Sequence, residues 1–197
     1  MSKRTHPTKR GSRNLKSRDP VQGMAEALSK RPKEELVQAL LELARQDPKA
    51  SRRITNYFGI PLSGESLVSE TRRAIACATD FDEREANQNF DYDSEAYETV
   101  QRNLATLAKS GRLEQAMELS LELMRRGSYQ AEQSDEGLMT DEIEECLEAV
   151  LKAVRGSTLP AQAIAAWSRE MMRADRGEFI CRDALEALEK RAIVAGK

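Results

Sequence analysis

Residues 94–127, SEAYETVQRNLATLAKSGRLEQAMELSLELMRRG, predict two consecutive helices joined by a tight turn. Apolar residues recur in them at spacings of three and four, which places each set on one helical face. The first set is Tyr97, Val100, Leu104, Leu107 and Ala108, and the second is Leu113, Ala116, Met117, Leu121 and Met124. Gly111 is typical of a residue that ends a helix, and Gly127 is expected to end the second one. The stretch therefore predicts a helical hairpin.

The pattern continues towards the C-terminus. A polar spacer over residues 128–137 precedes a helix from about Asp141, where Asp141 and Glu144 have the spacing of a capping box. Gly156 is expected to close that helix and Pro160 to open the next. A turn over residues 175–177 then leads to a last helix around Leu185 and Leu188. A second hairpin about 45 residues after the first suggests a stacked helical array.

Towards the N-terminus the same periodicity predicts four more helical segments. They are a short helix over 21–28, a helix over 32–45, a helix that Gly59 ends, and a helix over about 66–79. In the third of these, Ile54, Tyr57 and Phe58 are expected to point inward. The acidic stretch 80–93 lacks periodicity and is expected to be a loop.

Composition favours the same fold class. The 197 residues include 25 Ala and 20 Leu but only 7 Val and 7 Ile, a balance that favours helix over strand. We expect an all-α protein of stacked antiparallel helical hairpins, either an α-solenoid like tetratricopeptide or HEAT arrays or an irregular helical bundle. Three parts are expected: a disordered tail over 1–22, an N-terminal helical hairpin over 23–60, and a helical-repeat body over 61–197 with acidic loops near 80–93 and 128–140.

Two parts of the sequence resemble known families of helical proteins. Gly111, Leu113 and Ala116 resemble the turn and second-helix positions of a tetratricopeptide repeat, whereas Ser120 and Leu123 depart from its pattern. Residues 33–53 (KEELVQALLELARQDPKASRR) and 167–175 (WSREMMRAD) are similar to α-helical segments that occur beside SWIM-type zinc fingers in bacterial proteins. The resemblance implies a helical scaffold. It implies no zinc site, because the cysteines and histidine of such a finger are missing from the sequence.

The formal net charge of −2 hides an uneven distribution. Residues 1–60 carry 14 Lys and Arg against 6 Asp and Glu, whereas residues 61–197 carry 17 against 27. The densest basic stretch is a candidate for salt-sensitive, sequence-independent contact with DNA or RNA, and a solubilising role is the alternative. Its seven cations are Lys3, Arg4, Lys9, Arg10, Arg13, Lys16 and Arg18.

The sequence contains few of the residues that catalysis usually needs. The single histidine is His6, in the expected disordered tail, and no phosphate-binding loop or nucleophile elbow is present. An acidic run from Asp91 resembles a calcium loop but has Ala96 where glycine is needed and Arg102 where a bidentate carboxylate is needed. We expect a protein that is not an enzyme and has no cofactor or metal site. Carboxylate-only catalysis is the least favoured alternative.

Cysteine usage and hydropathy favour a cytoplasmic protein without a membrane span. Cys77, Cys146 and Cys181 are expected to be reduced and buried, and Cys181, next to Arg182, is the best placed to be a redox sensor instead.

The sequence alone is compatible with two functions. The favoured one is a scaffold or adaptor that binds another protein through its helical hairpins. The alternative is a nucleic-acid-associated accessory factor that uses the basic tail. Trp167, Met171 and Met172 are either core residues or an exposed partner patch. The partner's identity is not predicted, and self-association is allowed by the charge contrast between the two parts.

Overall fold

The computed structural model describes residues 20–62, 64–80, 92–134 and 139–195, and their regular structure is entirely α-helical. This confirms the all-α prediction. The helices in these ranges are α1 (Pro20–Leu28), α2 (Lys33–Gln46), α3 (Pro48–Phe58), α4 (Gly64–Ala78), α5 (Ser94–Lys109), α6 (Leu113–Gln133), α7 (Thr140–Arg155), α8 (Ala161–Ala174) and α9 (Arg182–Ala195). In the described part of the chain, no helix combines the length and the apolar character that crossing a membrane requires.

Local signals explain several of the helix ends. The Asp93 carboxylate Oδ1 accepts a hydrogen bond from the backbone N–H of Ala96 at 3.0 Å, so it caps the first turn of α5. Gly111 follows α5 with a φ of 79°, in the left-handed region that glycine adopts without strain. The chain can therefore turn at once into α6, as the sequence predicts.

The chain divides into two units, one ending at Ser51 and the other beginning at Arg52. The division lies inside α3, whereas the sequence places a boundary near residue 60. Just after the division, the side chains of Arg52 and Arg53 pair with Asp93 and Glu95, all within the second unit. In the first unit, α2 buries no side chain, and its apolar residues Val37, Leu40, Leu41 and Leu43 are exposed.

The second unit has one apolar core. Helix α4 packs on α5 and α6, α5 packs on α7, α6 packs on α7 and α8, and α8 packs on α9. Fully buried side chains in it include Ile75, Leu104, Leu107, Leu119, Leu123, Ile143, Leu147 and Leu185. Apart from Ala108, the apolar stripe predicted for α5 lies in this core, to which α4, α6 and α7 also contribute.

The prediction that Tyr57 and Phe58 point inward is wrong. Tyr57 is 84% exposed and Phe58 is exposed beside it. The inward position on α3 is taken by Arg52, whose guanidinium lies 2.7 Å from the Asp93 carboxylate. A polar contact thus sets the orientation of α3, and hydrophobic spacing alone does not reveal it.

The prediction that α6 ends at Gly127 is also wrong. The helix continues to Gln133, so a loop does not span residues 128–140. A Cβ on Gly127 would lie 2.7 Å from Cδ1 of Ile143 in α7, which shows that this glycine permits close helix packing.

The expected capping box does not form either. Asp141 lies inside α7, the residue before the helix is Met139, and Glu144 Oε1 instead accepts the N–H of Cys181 at 2.7 Å. Most of the predicted acidic loop, residues 81–91, lies outside the described residues.

Candidate functional site

The basic tail lies outside the described residues. All seven of its cations precede Pro20, so contact with nucleic acid stays a prediction from sequence.

Trp167, Met171 and Met172 do not form an exposed partner patch. Trp167 is 7% exposed and Met171 is fully buried, while Met172 is partly buried against the same core. The indole Nε1 of Trp167 donates a hydrogen bond to the Met117 carbonyl at 3.0 Å. Helix α8 packs on α6 through these residues, which makes them part of the structural core.

Cys181 lacks the environment of a redox sensor. Burial, together with Glu144 and Asp175, raises the pKa of Cys181 to about 12. The Arg182 guanidinium, which could have stabilised a thiolate, donates to Glu186 at 2.9 Å. The three cysteines are free thiols. A protonated, half-buried thiol reacts slowly, so the redox alternative loses its physical basis.

The described residues contain no cluster of His, Cys, Asp and Glu that could hold a metal ion. Asp93, which the calcium-like spacing singles out, caps α5 and pairs with Arg52. Its carboxylate thus has a structural use within the fold.

A cavity of about 400 Å³ lies between α3, α5 and the first turns of α4. Helix α3 supplies Arg52, Thr55 and Asn56 to its wall, and α5 supplies Arg102 and Asn103. The wall is therefore rich in hydrogen-bond donors and contains two guanidinium groups. These residues lie on different elements, and hydrogen bonds between side chains, such as Arg102 to Asn56, hold the two helices beside each other.

Two residues that line the cavity each have a donor atom that is enclosed by protein and forms no hydrogen bond within the described structure. Arg52 is 2% exposed and Asn103 is 4% exposed, yet Arg52 Nε and Asn103 Nδ2 form no hydrogen bond. The same edge of the Arg52 guanidinium meets Asp93, because Nη2 donates to Asp93 Oδ2 at 2.7 Å. A buried polar group without a partner typically costs about 1–3 kcal/mol, so these two donors reduce the stability of this part of the fold.

The cavity continues into a row of concavities along one face of the second unit. Arg102 also lines a groove of about 590 Å³ between α5 and α7. Glu145 and Glu148 line both that groove and a further one of about 640 Å³, which reaches the residues before α9. The floor of the middle groove is made of small side chains, namely Ala105, Ala108, Ala149 and Ala153.

The charge changes sign along this row. The first cavity has Arg52 and Arg102 in its wall, with Glu70 as its one carboxylate. The last concavity has five acidic residues and only Arg182 as a base. A ligand that lay along the whole face would meet a positive end and a negative end.

Sequence reasoning missed both residues that carry an unpartnered donor atom. The sequence does contain a hint that Asn103 is buried. This residue lies three positions after Val100 and four before Leu107, so it interrupts an apolar stripe. The sequence contains no such hint for Arg52, since its burial depends on Asp93, which is distant in sequence.

Comparison with protein-family models, with curated proteins and with solved structures finds no match to this chain.

Proposed function

We propose that the chain is a non-enzymatic, cytoplasmic helical-repeat adaptor that binds a segment of another protein along the face formed by α3, α5 and α7. The proposal rests on the row of concavities along that face. Adjacent concavities share wall residues, so together they form one continuous groove. Continuous grooves between parallel helices accommodate extended or helical segments better than they enclose small molecules.

Helix spacing supports a repeat architecture. Helices α3, α5 and α7 begin at Pro48, Ser94 and Thr140, each 46 residues after the previous one. Polar contacts between neighbouring pairs join residues at nearly the same interval. They include Arg102 to Asn56, Arg125 to Glu170, and Arg176 to Glu132. Such regularity is typical of stacked helix pairs, which bind partners on an extended face.

The middle groove fits a protein segment in its chemistry. Its alanine floor allows another backbone to approach closely, while Lys109, Lys152, Glu145 and Glu148 stand beside it. Charges of both signs at the edge of an apolar contact fix the orientation of a partner more than they add affinity. We expect the bound segment to place basic residues over the α7 end of the face.

Selection of peptides from a displayed random library, with the full chain as the target, tests the proposal. The substitution Ala149→Arg fills the middle groove and is expected to abolish capture of the selected peptides. Ala166→Arg is the matched control, because Ala166 is exposed on α8 and borders none of these concavities. Equal capture by wild type and Ala149→Arg would remove this face from the function.

A further inference from the structure

We propose that two copies of this chain pair through α2, with the two α2 helices antiparallel and centred on Leu40. The inference concerns residues of the first unit alone, so it does not rest on the proposed adaptor function. Pairing would join two chains in one assembly, which raises the avidity for a partner that carries repeated binding segments.

Helix α2 has an apolar face that is exposed in the described structure. At 3.6 residues per turn, Leu36, Val37, Leu40, Leu43 and Ala44 lie on one side of the helix. No residue of α2 is buried, and Val37, Leu40 and Leu43 are 44%, 37% and 49% exposed. Among the described helices, none packs extensively on α2. A contiguous exposed apolar stripe of this kind is typical of a surface that packs on another helix.

The charges of α2 are complementary to the same helix turned end to end. Lys33 lies seven residues before Leu40, and Asp47 lies seven residues after it. In an antiparallel pair centred on Leu40, each Lys33 therefore stands opposite the second copy's Asp47. Glu34, six residues before the centre, comes close to Arg45, five residues after it, in the same way. A parallel pair would instead place each of these charges beside its own copy, which is unfavourable.

Two other ways to cover this face fit its chemistry less well. Residues 1–19 contain only Met1 and Leu15 as large apolar residues, too few to cover the stripe by hydrophobic contact. The polar side of α2 carries Glu34, Glu35 and Glu42, so it lacks the excess of lysine and arginine typical of helices that lie on membranes. A second α2 matches both the apolar stripe and the charges at its ends.

Helix α1 is expected to enlarge the interface. Specific interfaces typically involve about 20–30 residues on each side, which is more than the 14 residues of α2. Met24 and Leu28 lie about one turn apart on α1 and are 57% and 46% exposed. Because the contact area is modest even with these side chains, we expect a dissociation constant of about 1–100 μM.

Sedimentation equilibrium of the full-length chain at increasing concentration tests the pairing. Wild type is expected to change from monomer to dimer. Leu40→Asp places a charge at the centre of the apolar face and should weaken the dimer at least about tenfold. Val194→Asp is the matched control, because Val194 is an apolar residue on α9 that is 74% exposed and lies outside the first unit. Circular dichroism shows whether each variant remains folded, and the wild-type series decides the question even where a variant does not fold.

Disulfide formation measures the orientation of the pair. Antiparallel pairing centred on Leu40 brings two Leu40→Cys thiols together. With a rise of about 1.5 Å per residue, it keeps two Lys33→Cys residues about 21 Å apart. The Cα atoms of a disulfide lie within about 7 Å of each other, so only Leu40→Cys should give a covalent dimer under mild oxidation. Wild type, whose three cysteines are free thiols, is the control.

Charge exchange measures the register. Lys33→Glu and Asp47→Lys each turn an attraction into a repulsion at both ends of the dimer, so each variant alone should dimerise about three- to tenfold more weakly. A mixture of the two variants restores both attractions and should form mixed dimers in preference to either pure dimer. Asp47→Lys also removes the acceptor of the Lys49 N–H at 2.8 Å. The pure and mixed dimers contain the same two substituted chains, so the preference for the mixed dimer reports the charges alone.

Three results would overturn the proposed pairing. One is a wild-type chain that stays monomeric at every concentration, including a monomer that sediments with vesicles of phosphatidylcholine and phosphatidylserine. Another is a dimer that Val194→Asp weakens and Leu40→Asp leaves unchanged. The third is a covalent dimer of Lys33→Cys without one of Leu40→Cys.

Discussion

Gly127 lies within α6, where its backbone meets the fully buried Ile143 side chain of α7. Substitution of Gly by Ala inside a helix usually stabilises by about 1 kcal/mol, but here the added Cβ would lie 2.7 Å from Cδ1 and 3.1 Å from Cγ1 of Ile143. Because Ile143 is enclosed on all sides, overpacking should outweigh the gain in helix propensity. We predict that Gly127→Ala lowers the free energy of unfolding by about 1 kcal/mol, measured by denaturant titration.

The double substitution Gly127→Ala, Ile143→Val provides the control, since valine lacks the Cδ1 atom that the new Cβ would meet. In the Ile143→Val background, Gly127→Ala is expected to destabilise less than in wild type, because only the 3.1 Å approach to Cγ1 remains. Destabilisation of the same size in both backgrounds would show that some other contact requires the glycine.

Cys146 makes the free energy of unfolding depend on alkaline pH. Burial raises the pKa of this thiol to about 12 from an ordinary value near 9. Above pH 9 the unfolded chain loses the thiol proton while the folded chain keeps it, so the stability present below pH 9 declines between pH 9 and pH 12. From pH 8 to pH 10, Cys146→Ala should lose about 1 kcal/mol less stability than wild type. Val150→Ala, also buried on α7, should keep the wild-type slope.

At the scale of elements, Gln130 joins three helices through a buried polar junction. Its Oε1 accepts from the Tyr97 hydroxyl at 2.6 Å, and its Nε2 donates to the Ala78 carbonyl at 3.2 Å, so α6 is tied to α5 and α4. Gln130→Met keeps the side-chain volume but leaves both groups unpaired. We predict a loss of about 3 kcal/mol in unfolding free energy. Adding Tyr97→Phe should cost about 1 kcal/mol less in that background than in wild type.

The existence of these helices was predictable from sequence, and their polar contacts were not. Periodic apolar residues predict α4, α5 and α7 because local spacing sets which face is buried. Gln130, by contrast, lies in a stretch that reads as a polar spacer, and its partners Tyr97 and Ala78 belong to other helices. The candidate site shares this property, because Arg52 and Asn103 belong to different helices and line one cavity only in the folded chain.

At the scale of the whole molecule, the two units differ in burial. Residues from Arg52 onwards contain the continuous apolar core, whereas α2 in the first unit has no buried side chain. A helix of 14 residues with no buried side chain is marginally stable, because its nucleation is unfavourable and few tertiary contacts offset that cost. The two units should therefore differ in the free energy of local opening.

Hydrogen exchange on the full chain measures that difference. Amides of α2 are predicted to exchange at least about 100-fold faster than those of α5 and α7, which open only when the core unfolds. A matched pair of substitutions gives the same contrast in stability: Leu104→Ala should cost about 2–5 kcal/mol because it leaves a cavity, whereas Leu41→Ala should cost less than about 0.5 kcal/mol. Slow exchange in α2 that persists at high protein dilution would contradict the prediction, since it would require the exposed leucines to be buried within a single chain.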